Sequence, residues 1–472
     1  MTQRVFTLDD QLAFAKLSGD CNPLHMDPIL ARRLLFGRQV VHGLHALLWS
    51  LDHYFEAQTQ VVELGTVKAN FQAGIGIGQT VDCTYDEQDE HRVEMQLEID
   101  KTRAAWIQIS WNALQQHPTD NLPTMPQKQR KCRERSLEET VAASGNVSLY
   151  FDREFAAKLF PNLVRVLSPM QFAALLATTR LVGMECPGRH SIYSGLDLVF
   201  FSDITGVAKL NYRVTDCNKR LALLLMDVEA PGMKGQIKAF FRPKPQEQAA
   251  FAEVCGEVEP GEFSAQRALI IGGSRGLGEV AAKLLAAGGA EVIITYCHGE
   301  QDAKRVVQEI VSHGAGADYL WLNVLEPSQA LLPMVANRSK PLYLYYFATP
   351  FIFGAAKGQF SSKRFAHFSE YFVTGFLRTV QTVAAPSTGL QKIFYPSSAA
   401  IAELPLDMGE YAAAKLAGEI LCDFLHKANP GLFIHKPRLP RIATDQTVSL
   451  LPVRNQDPVT VLLPHLRYLR QM

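Results

Sequence analysis

Hydrophobic and polar positions follow a repeated order in the first half of this 472-residue chain. A long apolar stretch with helical spacing (43–57) comes before short segments in which apolar and polar residues alternate, at 65–71, 80–85 and 93–99. The same order returns later, with a helical stretch at 168–183 and alternating segments at 196–201, 206–214, 221–228 and 235–241. Apolar spacing of three and four is typical of helices and alternation is typical of strands. The pattern therefore predicts two consecutive units, each with one buried helix wrapped by an antiparallel sheet.

From about residue 264 the pattern changes to continuously apolar segments separated by helical ones. Strands are predicted at 267–271, 291–296 and 318–322, and helices at 278–287 and 302–313. Apolar strands that alternate with helices are typical of a parallel sheet covered on both faces. The predicted fold class is therefore multidomain, with tandem α+β hot-dog folds followed by an α/β Rossmann-type doubly wound parallel sheet.

Two polar stretches divide the chain. Residues 116–144 are basic and contain proline, and residues 243–263 are rich in Pro, Gln and Glu, which is typical of linkers. The predicted domains are 1–115 for the first hot-dog, 145–242 for the second and 264–472 for the Rossmann-type domain.

Composition narrows the range of partners. Lysine plus arginine and aspartate plus glutamate both number 47, so the zero net charge gives no sign of a nucleic-acid or anionic-membrane partner. No apolar run reaches the roughly 18–20 residues of a membrane span. The eight cysteines contain no CxxC pair, so neither a metal site nor a disulfide framework is predicted. The first residues do not resemble a signal peptide, and a cytoplasmic location is expected.

A glycine-rich segment follows the strand predicted at 267–271 and opens the next helix: Gly272, Gly273, Ser274, Arg275, Gly276, Leu277 and Gly278. Such a loop lets the backbone approach a dinucleotide pyrophosphate, and the helix N-terminus supplies amides and partial positive charge. The second strand ends at Tyr296, which we count as cofactor-binding, with no carboxylate to accept from ribose hydroxyls. Because Arg275 is well placed for a 2′-phosphate, NADP(H) is favoured over NAD(H).

Ser398, Tyr411 and Lys415 have the chemistry that a carbonyl reduction needs. Tyr411 and Lys415 are one helical turn apart, so the cation lies beside a phenol whose pKa is ordinarily about 10. Together with the glycine loop, their order and spacing resemble those of the short-chain dehydrogenases/reductases, over about residues 264–447. That resemblance implies that Ser398 binds the substrate oxygen and that Lys415 also holds the nicotinamide ribose.

Three segments depart from that family. Its Asn-Asn-Ala-Gly segment is replaced at 346–349, its Pro-Gly segment near the nicotinamide is altered at 440–444, and Phe372 stands where its catalytic tetrad has asparagine. In the family this asparagine organises a water in a proton relay. The departures leave a slow or vestigial reductase as an alternative, whereas the intact Ser–Tyr–Lys set favours activity.

Near the N-terminus, Asp20, Asn22, Pro23 and His25 have a spacing that resembles the active-site segment of the MaoC-like, (R)-specific enoyl hydratases. The resemblance implies that Asp20 and His25 surround one water and share the acid and base roles. The amide of Gly43, at the start of the predicted buried helix, would donate to the thioester oxygen. The structural alternative is a helix cap at Asp20 or Asn22 with a structural His25.

The second hot-dog has no such segment before its helix. Since hot-dogs work as pairs, we expect it to be a non-catalytic pseudo-dimer partner that shapes the acyl tunnel. A separate dehydratase site there is the alternative.

The two resemblances imply consecutive reactions on one acyl chain. The expected function is NADPH-dependent reduction of a 3-oxoacyl to a 3-hydroxyacyl thioester and dehydration to a trans-2-enoyl thioester, as in fatty-acid or polyketide biosynthesis. The carrier is acyl carrier protein or coenzyme A, and a homodimer is expected. Three alternatives remain: a hydratase and 3-hydroxyacyl-CoA dehydrogenase working in the β-oxidation direction, a hydratase with a vestigial reductase, and a non-catalytic scaffold that binds acyl carrier protein.

Overall fold

A computed structural model of the chain describes residues 2–114, 122–124, 126, 131–202, 204–326, 331–336, 339–354 and 357–472. These residues form two compact units. The first is Met1–Lys244 with Ser449–Pro452, and the second is Pro245–Val448 with Val453–Met472. Part of the predicted linker at 116–144 lies outside the described residues.

The strands of the first unit form one ten-stranded antiparallel sheet. Their bounds are β1 Thr2–Val5, β2 Val61–Phe71, β3 Thr80–Asp89, β4 Arg92–Ile99, β5 Thr102–Leu114, β6 Ser144–Ser148, β7 Ser191–Phe200, β8 Lys209–Asn218, β9 Leu223–Ala230 and β10 Met233–Phe241. The order is β1-β3-β4-β5-β2-β7-β10-β9-β8-β6, with β2 and β7 paired at the centre. The two halves of the sheet therefore repeat one topology.

Each half wraps its sheet around one buried helix. The helices are α1 Leu8–Ser18, α2 Pro23–Met26, α3 Pro28–Ala31, α4 Gly43–Tyr54, α5 Leu137–Val141, α6 Arg153–Leu159, α7 Pro161–Val166 and α8 Pro169–Arg180. Residues 44–52 of α4 and 170–180 of α8 are all buried. After α8 the chain continues through a π-helical turn, Leu181–Glu185. This arrangement is the hot-dog layout that the pattern predicted.

The halves differ in what comes before the buried helix. In the first half, residues 19–42 separate α1 from α4 and include two short helices. In the second half, α7 ends at Val166 and α8 begins at Pro169. The loop that carries Asp20 and His25 therefore has no counterpart in the second half.

The main sheet of the second unit is parallel. The strands are β11 Arg267–Ile271, β12 Glu291–Tyr296, β13 Ala317–Trp321, β14 Leu342–Tyr346, β15 Leu390–Phe394, β16 Ser397–Ser398, β17 Phe433–His435 and β18 Arg438–Leu439. Six of them lie in the order β13-β12-β11-β14-β15-β17, and β16 pairs with β18. Counted from the first strand, this order is 3-2-1-4-5-6, the doubly wound Rossmann arrangement. The predicted fold class is confirmed.

Helices cover the parallel sheet. They are α9 Phe251–Cys255, α10 Gly276–Ala287, α11 Glu300–Ser312, α12 Leu331–Val335, α13 Ser362–Ser369, α14 Phe376–Val383, α15 Ala400–Glu403, α16 Gly409–Ala428 and α17 Pro458–Gln471. A second π-helical turn, Glu370–Gly375, joins α13 to α14. None of the helices in the described residues is long and apolar enough to cross a membrane.

The segment 243–263 is more ordered than the predicted linker. It contains α9, and Phe251, Val254 and Phe263 are buried in the core of the second unit. Lys283 of α10 donates to the carbonyl oxygen of Ala249 at 2.8 Å. Although the segment is polar in composition, four of its apolar side chains, including Val258, are buried in this core, so part of it belongs to the Rossmann-type unit.

Candidate active sites

The loop that follows α1 is fixed by its own turn residues and by the second half of the first unit. Gly19 ends α1 in the left-handed conformation, with a φ of 73°. Asn22 accepts from the amide of Leu24 at 3.0 Å and so caps α2. Its Nδ2 donates to the carbonyl oxygens of Gly183 and Gly188 at 2.9 and 3.0 Å. The predicted capping role of Asn22 is therefore present, and its amide nitrogen also ties the loop to the other half.

Asp20 is buried against α8 and the π-helical turn that follows it. Its Oδ2 accepts from the hydroxyl of Thr179 at 2.7 Å, and its Oδ1 accepts from the amide of Asn22 at 3.2 Å. A Cβ on Gly183 would lie 2.1 Å from Oδ1, so only glycine permits this approach. Burial raises the pKa of Asp20, against the opposing effects of His25 and of these hydrogen bonds. The carboxyl group is therefore more basic than an exposed aspartate.

His25 lies beside Asp20 with a defined tautomer. Its Nδ1 is 2.7 Å from the carbonyl oxygen of Val40, so Nδ1 carries the hydrogen and Nε2 is the basic nitrogen. Its ring stacks on that of His42, with centroids 3.8 Å apart. Burial lowers the pKa of His25, so the ring is neutral at neutral pH. An acidic group and a neutral imidazole base are thus side by side.

His42 supports the pair from the core. Its Nδ1 is 3.0 Å from Oε1 of Gln11, and its Nε2 is 3.0 Å from the carbonyl oxygen of Asp20. Burial holds the pKa of His42 well below its usual value. Three side chains here, those of Asp20, His25 and His42, each have one possible metal-ligand atom within 4.8 Å of the others, a spacing that would suit a metal ion. Because both ring nitrogens of His42 already face protein oxygens, we interpret the cluster as a hydrogen-bonded one.

Gly43 is the first residue of α4 and directly follows His42. A Cβ on Gly43 would lie 3.0 Å from the ring of Phe71, so the position is closely packed. Amides in the first turn of a helix have no partner within the helix. The oxyanion role of the Gly43 amide stays a prediction.

The structure brings Ser398, Tyr411 and Lys415 together. Ser398 lies in β16, and Tyr411 and Lys415 occupy successive turns of α16. Burial raises the pKa of Tyr411, and a hydrogen bond with Ser398 opposes that rise. Lys415 donates to the carbonyl oxygen of Pro396 at 2.8 Å, and burial lowers its pKa to about 7. A buried phenol, a buried lysine whose pKa is lowered and a partly buried hydroxyl therefore lie together.

Phe372 lies beside this group, at the place that the resemblance gives to asparagine. Nζ of Lys415 is 4.0 Å from the centroid of the Phe372 ring and 5.0 Å from that of Tyr395. The Phe372 ring also meets the Tyr411 ring edge-on, with centroids 5.6 Å apart. The lysine therefore has aromatic neighbours on its apolar side.

The glycine loop has the close approaches that a dinucleotide cradle needs. Gly272 and Gly276 have φ values of 80° and 58°, which favour glycine. A Cβ on Gly278 would lie 2.2 Å from the carbonyl oxygen of Gly272, so α10 packs directly on the end of β11. The amide of Gly272 donates to Oγ1 of Thr295 at 3.0 Å. The geometry of this loop therefore fits a dinucleotide, the kind of cofactor that the sequence predicts.

Arg275 has an acidic partner that the sequence did not suggest. Its Nη1 is 2.9 Å from Oδ2 of Asp445, which is buried in the segment after β18. The two residues are far apart in the chain, and no short motif joins them. At the end of β12, residues 296–298 contain no carboxylate, as the sequence predicted.

The strand order defines the second unit as a Rossmann-type fold, and Ser398, Tyr411 and Lys415 lie together in it. The first unit is a double hot-dog with one Asp–His site. Its residues 2–105 match the family model of the MaoC like domain. The predicted MaoC-like resemblance is confirmed over these residues, whereas the resemblance of the second unit to the short-chain dehydrogenases/reductases stays a prediction beyond its Rossmann-type strand order.

Two curated proteins are similar to parts of the chain. The peroxisomal hydratase-dehydrogenase-epimerase of Saccharomyces cerevisiae is 39% identical over 93 residues, which are 17% of this chain and 10% of the yeast protein. The mitochondrial 3-hydroxyacyl-[acyl-carrier-protein] dehydratase of Arabidopsis thaliana is 49% identical over 41 residues, 9% of this chain and 25% of the plant protein. The chain thus matches a quarter or less of the length of these relatives.

A solved structure is similar to part of the chain. A short chain dehydrogenase from Burkholderia cenocepacia, in complex with NADP, has a TM-score of 0.39 and 24% identity, covering 44% of this chain and 91% of that protein. A TM-score at this level adds nothing to what the strand order already shows.

Proposed function

We propose that the chain is a bifunctional acyl-thioester enzyme with a reductase site and a hydratase/dehydratase site. The observation that carries the proposal is the presence of two sets of groups in one chain: Asp20 with His25, and Ser398 with Tyr411 and Lys415. A 3-hydroxyacyl thioester is the product of the one reaction and the substrate of the other.

The dehydration uses Asp20 and His25 as a proton-exchanging pair. One group takes the proton from the α-carbon, the other gives a proton to the departing 3-hydroxyl, and water and a trans-2-enoyl thioester result. Burial raises the pKa of Asp20 and lowers that of His25, so each is shifted towards the ordinary value of the other. Shifts in these directions favour proton exchange between a carboxyl group and an imidazole.

The second hot-dog half supports this site without a catalytic pair of its own. Thr179 and Gly183 approach the Asp20 carboxylate, and Arg180 donates to the carbonyl oxygen of Ser18 at 2.8 Å. The short connection between α7 and α8 leaves no room for a second Asp–His loop. This half acts as a non-catalytic pseudo-dimer partner.

The reduction uses Tyr411 as the proton donor. Its hydroxyl gives a proton to the carbonyl oxygen of the 3-oxoacyl group, which Ser398 also binds by a hydrogen bond. The nicotinamide, when bound, supplies the hydride to the carbonyl carbon. The charged form of Lys415 stabilises the phenolate that Tyr411 leaves behind.

NADP(H) is the proposed cofactor. The absence of a carboxylate at residues 296–298 removes the usual ribose acceptor, and Arg275 supplies positive charge in the glycine loop. The Arg275–Asp445 ion pair shows that this guanidinium is held at the loop by a buried carboxylate. An NADP(H) preference favours the biosynthetic direction.

The names of the relatives suggest an alternative for the direction of the reactions and for the acyl carrier. The yeast relative is named as a peroxisomal hydratase-dehydrogenase and the plant relative as an acyl-carrier-protein dehydratase. We favour the biosynthetic direction, in the cytoplasm, because of the cofactor argument, with a carrier-protein or coenzyme A thioester as substrate. The β-oxidation direction is the second candidate.

A homodimer through α16 is also proposed. Leu416, Ile420 and Phe424 lie four residues apart on one face of this helix and are 43%, 62% and 65% exposed. Apolar side chains that line up on a helix face are typical of a helix–helix interface.

The test is oxidation of NADPH and of NADH by the purified chain with a short 3-oxoacyl thioester, followed by mass spectrometry of the product. NADPH oxidation with an enoyl product is expected. Interconversion of added enoyl and 3-hydroxyacyl thioesters without any oxidation would mean a hydratase with a vestigial reductase. Inactivity of both sites would favour the scaffold alternative.

A further inference from the structure

Two phenylalanines close the apolar side of the reductase site. Phe368 of α13 and Phe372 of the turn Glu370–Gly375 are both buried, and their rings stack with centroids 6.0 Å apart. Each ring meets the Tyr411 ring edge-on, at 5.8 and 5.6 Å. The two side chains therefore have the same relation to the phenol.

Their relations to the lysine differ. Among the described rings, those of Phe372 and Tyr395 have centroids within 5.0 Å of Nζ of Lys415, and Phe372 is the nearer at 4.0 Å. The face of an aromatic ring carries negative potential, which attracts a cation at this distance. Of the pair Tyr411 and Lys415, Phe372 therefore contacts both residues, whereas Phe368 contacts Tyr411.

Few polar groups compete for the ammonium. Nζ donates to the carbonyl oxygen of Pro396, the ionisable groups that act on it are Cys422 and Glu419, and the Tyr395 ring lies 5.0 Å away. The Glu419 carboxylate is already bound by the guanidinium of Arg438, through two hydrogen bonds of 2.8 Å, and by the hydroxyl of Ser397. These partners compensate part of its charge, and the Phe372 ring face, 4.0 Å from Nζ, acts on the ammonium in addition to what remains.

We propose that Phe372 is a positioning residue of the reductase site, whose ring face keeps Lys415 in its charged form beside Tyr411. The inference rests on the proposed reductase function. Burial lowers the Lys415 pKa to about 7, although Cys422 and Glu419 act to raise it. A contact that favours the ammonium therefore decides how much of the lysine is charged at neutral pH.

The experiment replaces Phe372 with pentafluorophenylalanine, which keeps the ring shape and reverses its surface potential, and in parallel makes Phe372→Leu. Two quantities are measured against pH: kcat/KM for reduction, and the ¹³C signal of the labelled lysine side chain that disappears in Lys415→Arg. Both variants should lower the Lys415 titration midpoint, and with it the alkaline limb of kcat/KM, by about half to one pH unit.

Phe368→Leu is the matched control. It removes a buried ring that contacts Tyr411 in the same way, and it should leave the Lys415 midpoint in place. An unchanged midpoint in the fluorinated protein, or an equal shift in Phe368→Leu, would overturn the proposal, because packing rather than ring potential would then set the titration. If no 3-oxoacyl thioester is reduced by the unaltered chain, the proposed function fails, while the ¹³C titration still decides whether Phe372 acts on Lys415.

Discussion

The two candidate sites hold their ionisable groups in different surroundings. Asp20 and His25 are bound by hydrogen-bonding partners, among them Thr179, which belongs to the other half of the double hot-dog. Lys415 has a single carbonyl partner in the described structure, and aromatic rings cover its apolar side. The geometry of the candidate hydratase site therefore depends on elements distant in the chain, whereas the charge in the candidate reductase site depends on its local environment.

The largest expected effect is the loss of one activity while the other is retained. Asp20→Asn should reduce hydration of an enoyl thioester by about 10²- to 10⁴-fold, because the amide cannot exchange the proton, and should leave NADPH oxidation intact. Tyr411→Phe should do the reverse, since it removes the proton donor. Both activities are measured on each purified variant. Loss of both activities in one folded variant would contradict the two-site comparison.

Thr179→Val tests whether the Asp20–His25 site depends on the second half of the double hot-dog. The change removes the 2.7 Å hydrogen bond to Oδ2 of Asp20 and keeps the side-chain shape. A hydrogen bond to a charged group contributes about 1.5–3 kcal/mol, so the hydration rate should fall about 10- to 100-fold. Thr178→Val, at a neighbouring buried hydroxyl that bonds to Leu175 instead, is the control. Equal losses in both variants would point to general damage of α8.

The rates of reduction and hydration should respond to pH in opposite directions. Reduction should decline as pH rises through about 7, because Lys415 loses its charge there. Hydration should be level across this range and decline on the acid side, below the ordinary histidine pKa of about 6.5, because burial lowers the pKa of His25. The two rates are measured on one preparation from pH 5 to 9. A hydration rate that also declines above pH 7 would remove the contrast.

The smallest effect concerns the cofactor loop. Asp445→Asn removes the ion pair with Arg275, which a 2′-phosphate must otherwise displace. Because the change removes this competing carboxylate, the KM for NADPH should fall by a few-fold and that for NADH should not change. Arg275→Ala should raise the KM for NADPH alone. A raised KM in Asp445→Asn would instead mean that Asp445 orients the arginine for the phosphate.

Local motifs made much of the two sites predictable. Asp20 and His25 lie five residues apart, and Tyr411 and Lys415 one helical turn apart, so short sequence signals place each pair. Thr179 and Asp445 could not be predicted in this way. Each reaches its partner from an element far away in the chain, and neither belongs to a motif.

The fold was predictable where periodicity was strong. The apolar strands of the parallel sheet and the helix at 43–57 stand out because burial is continuous along them. β5 was missed although its residues alternate between buried and exposed, since Thr102–Leu114 follows β4 after a tight turn and carries few signals of a new element. The helix Phe251–Cys255 was missed because five residues are too few to display a helical period.

Each candidate site includes a residue from a π-helical turn, so both sites should be sensitive to the loss of a single residue from that turn. Leu181–Glu185 brings Gly183 to Asp20, and Glu370–Gly375 brings Phe372 to Lys415. A π turn holds one residue more than the α-helix around it, and such insertions are frequent at functional sites. Deleting a single residue from Glu370–Gly375, which lies between α13 and α14, would restore a regular α-helix and rotate the side chains beyond it by roughly 100°. Deleting one from Leu181–Glu185, which ends α8, would move Gly183 away from Asp20. The number of residues in these two short segments therefore determines whether Gly183 and Phe372 reach the two candidate sites.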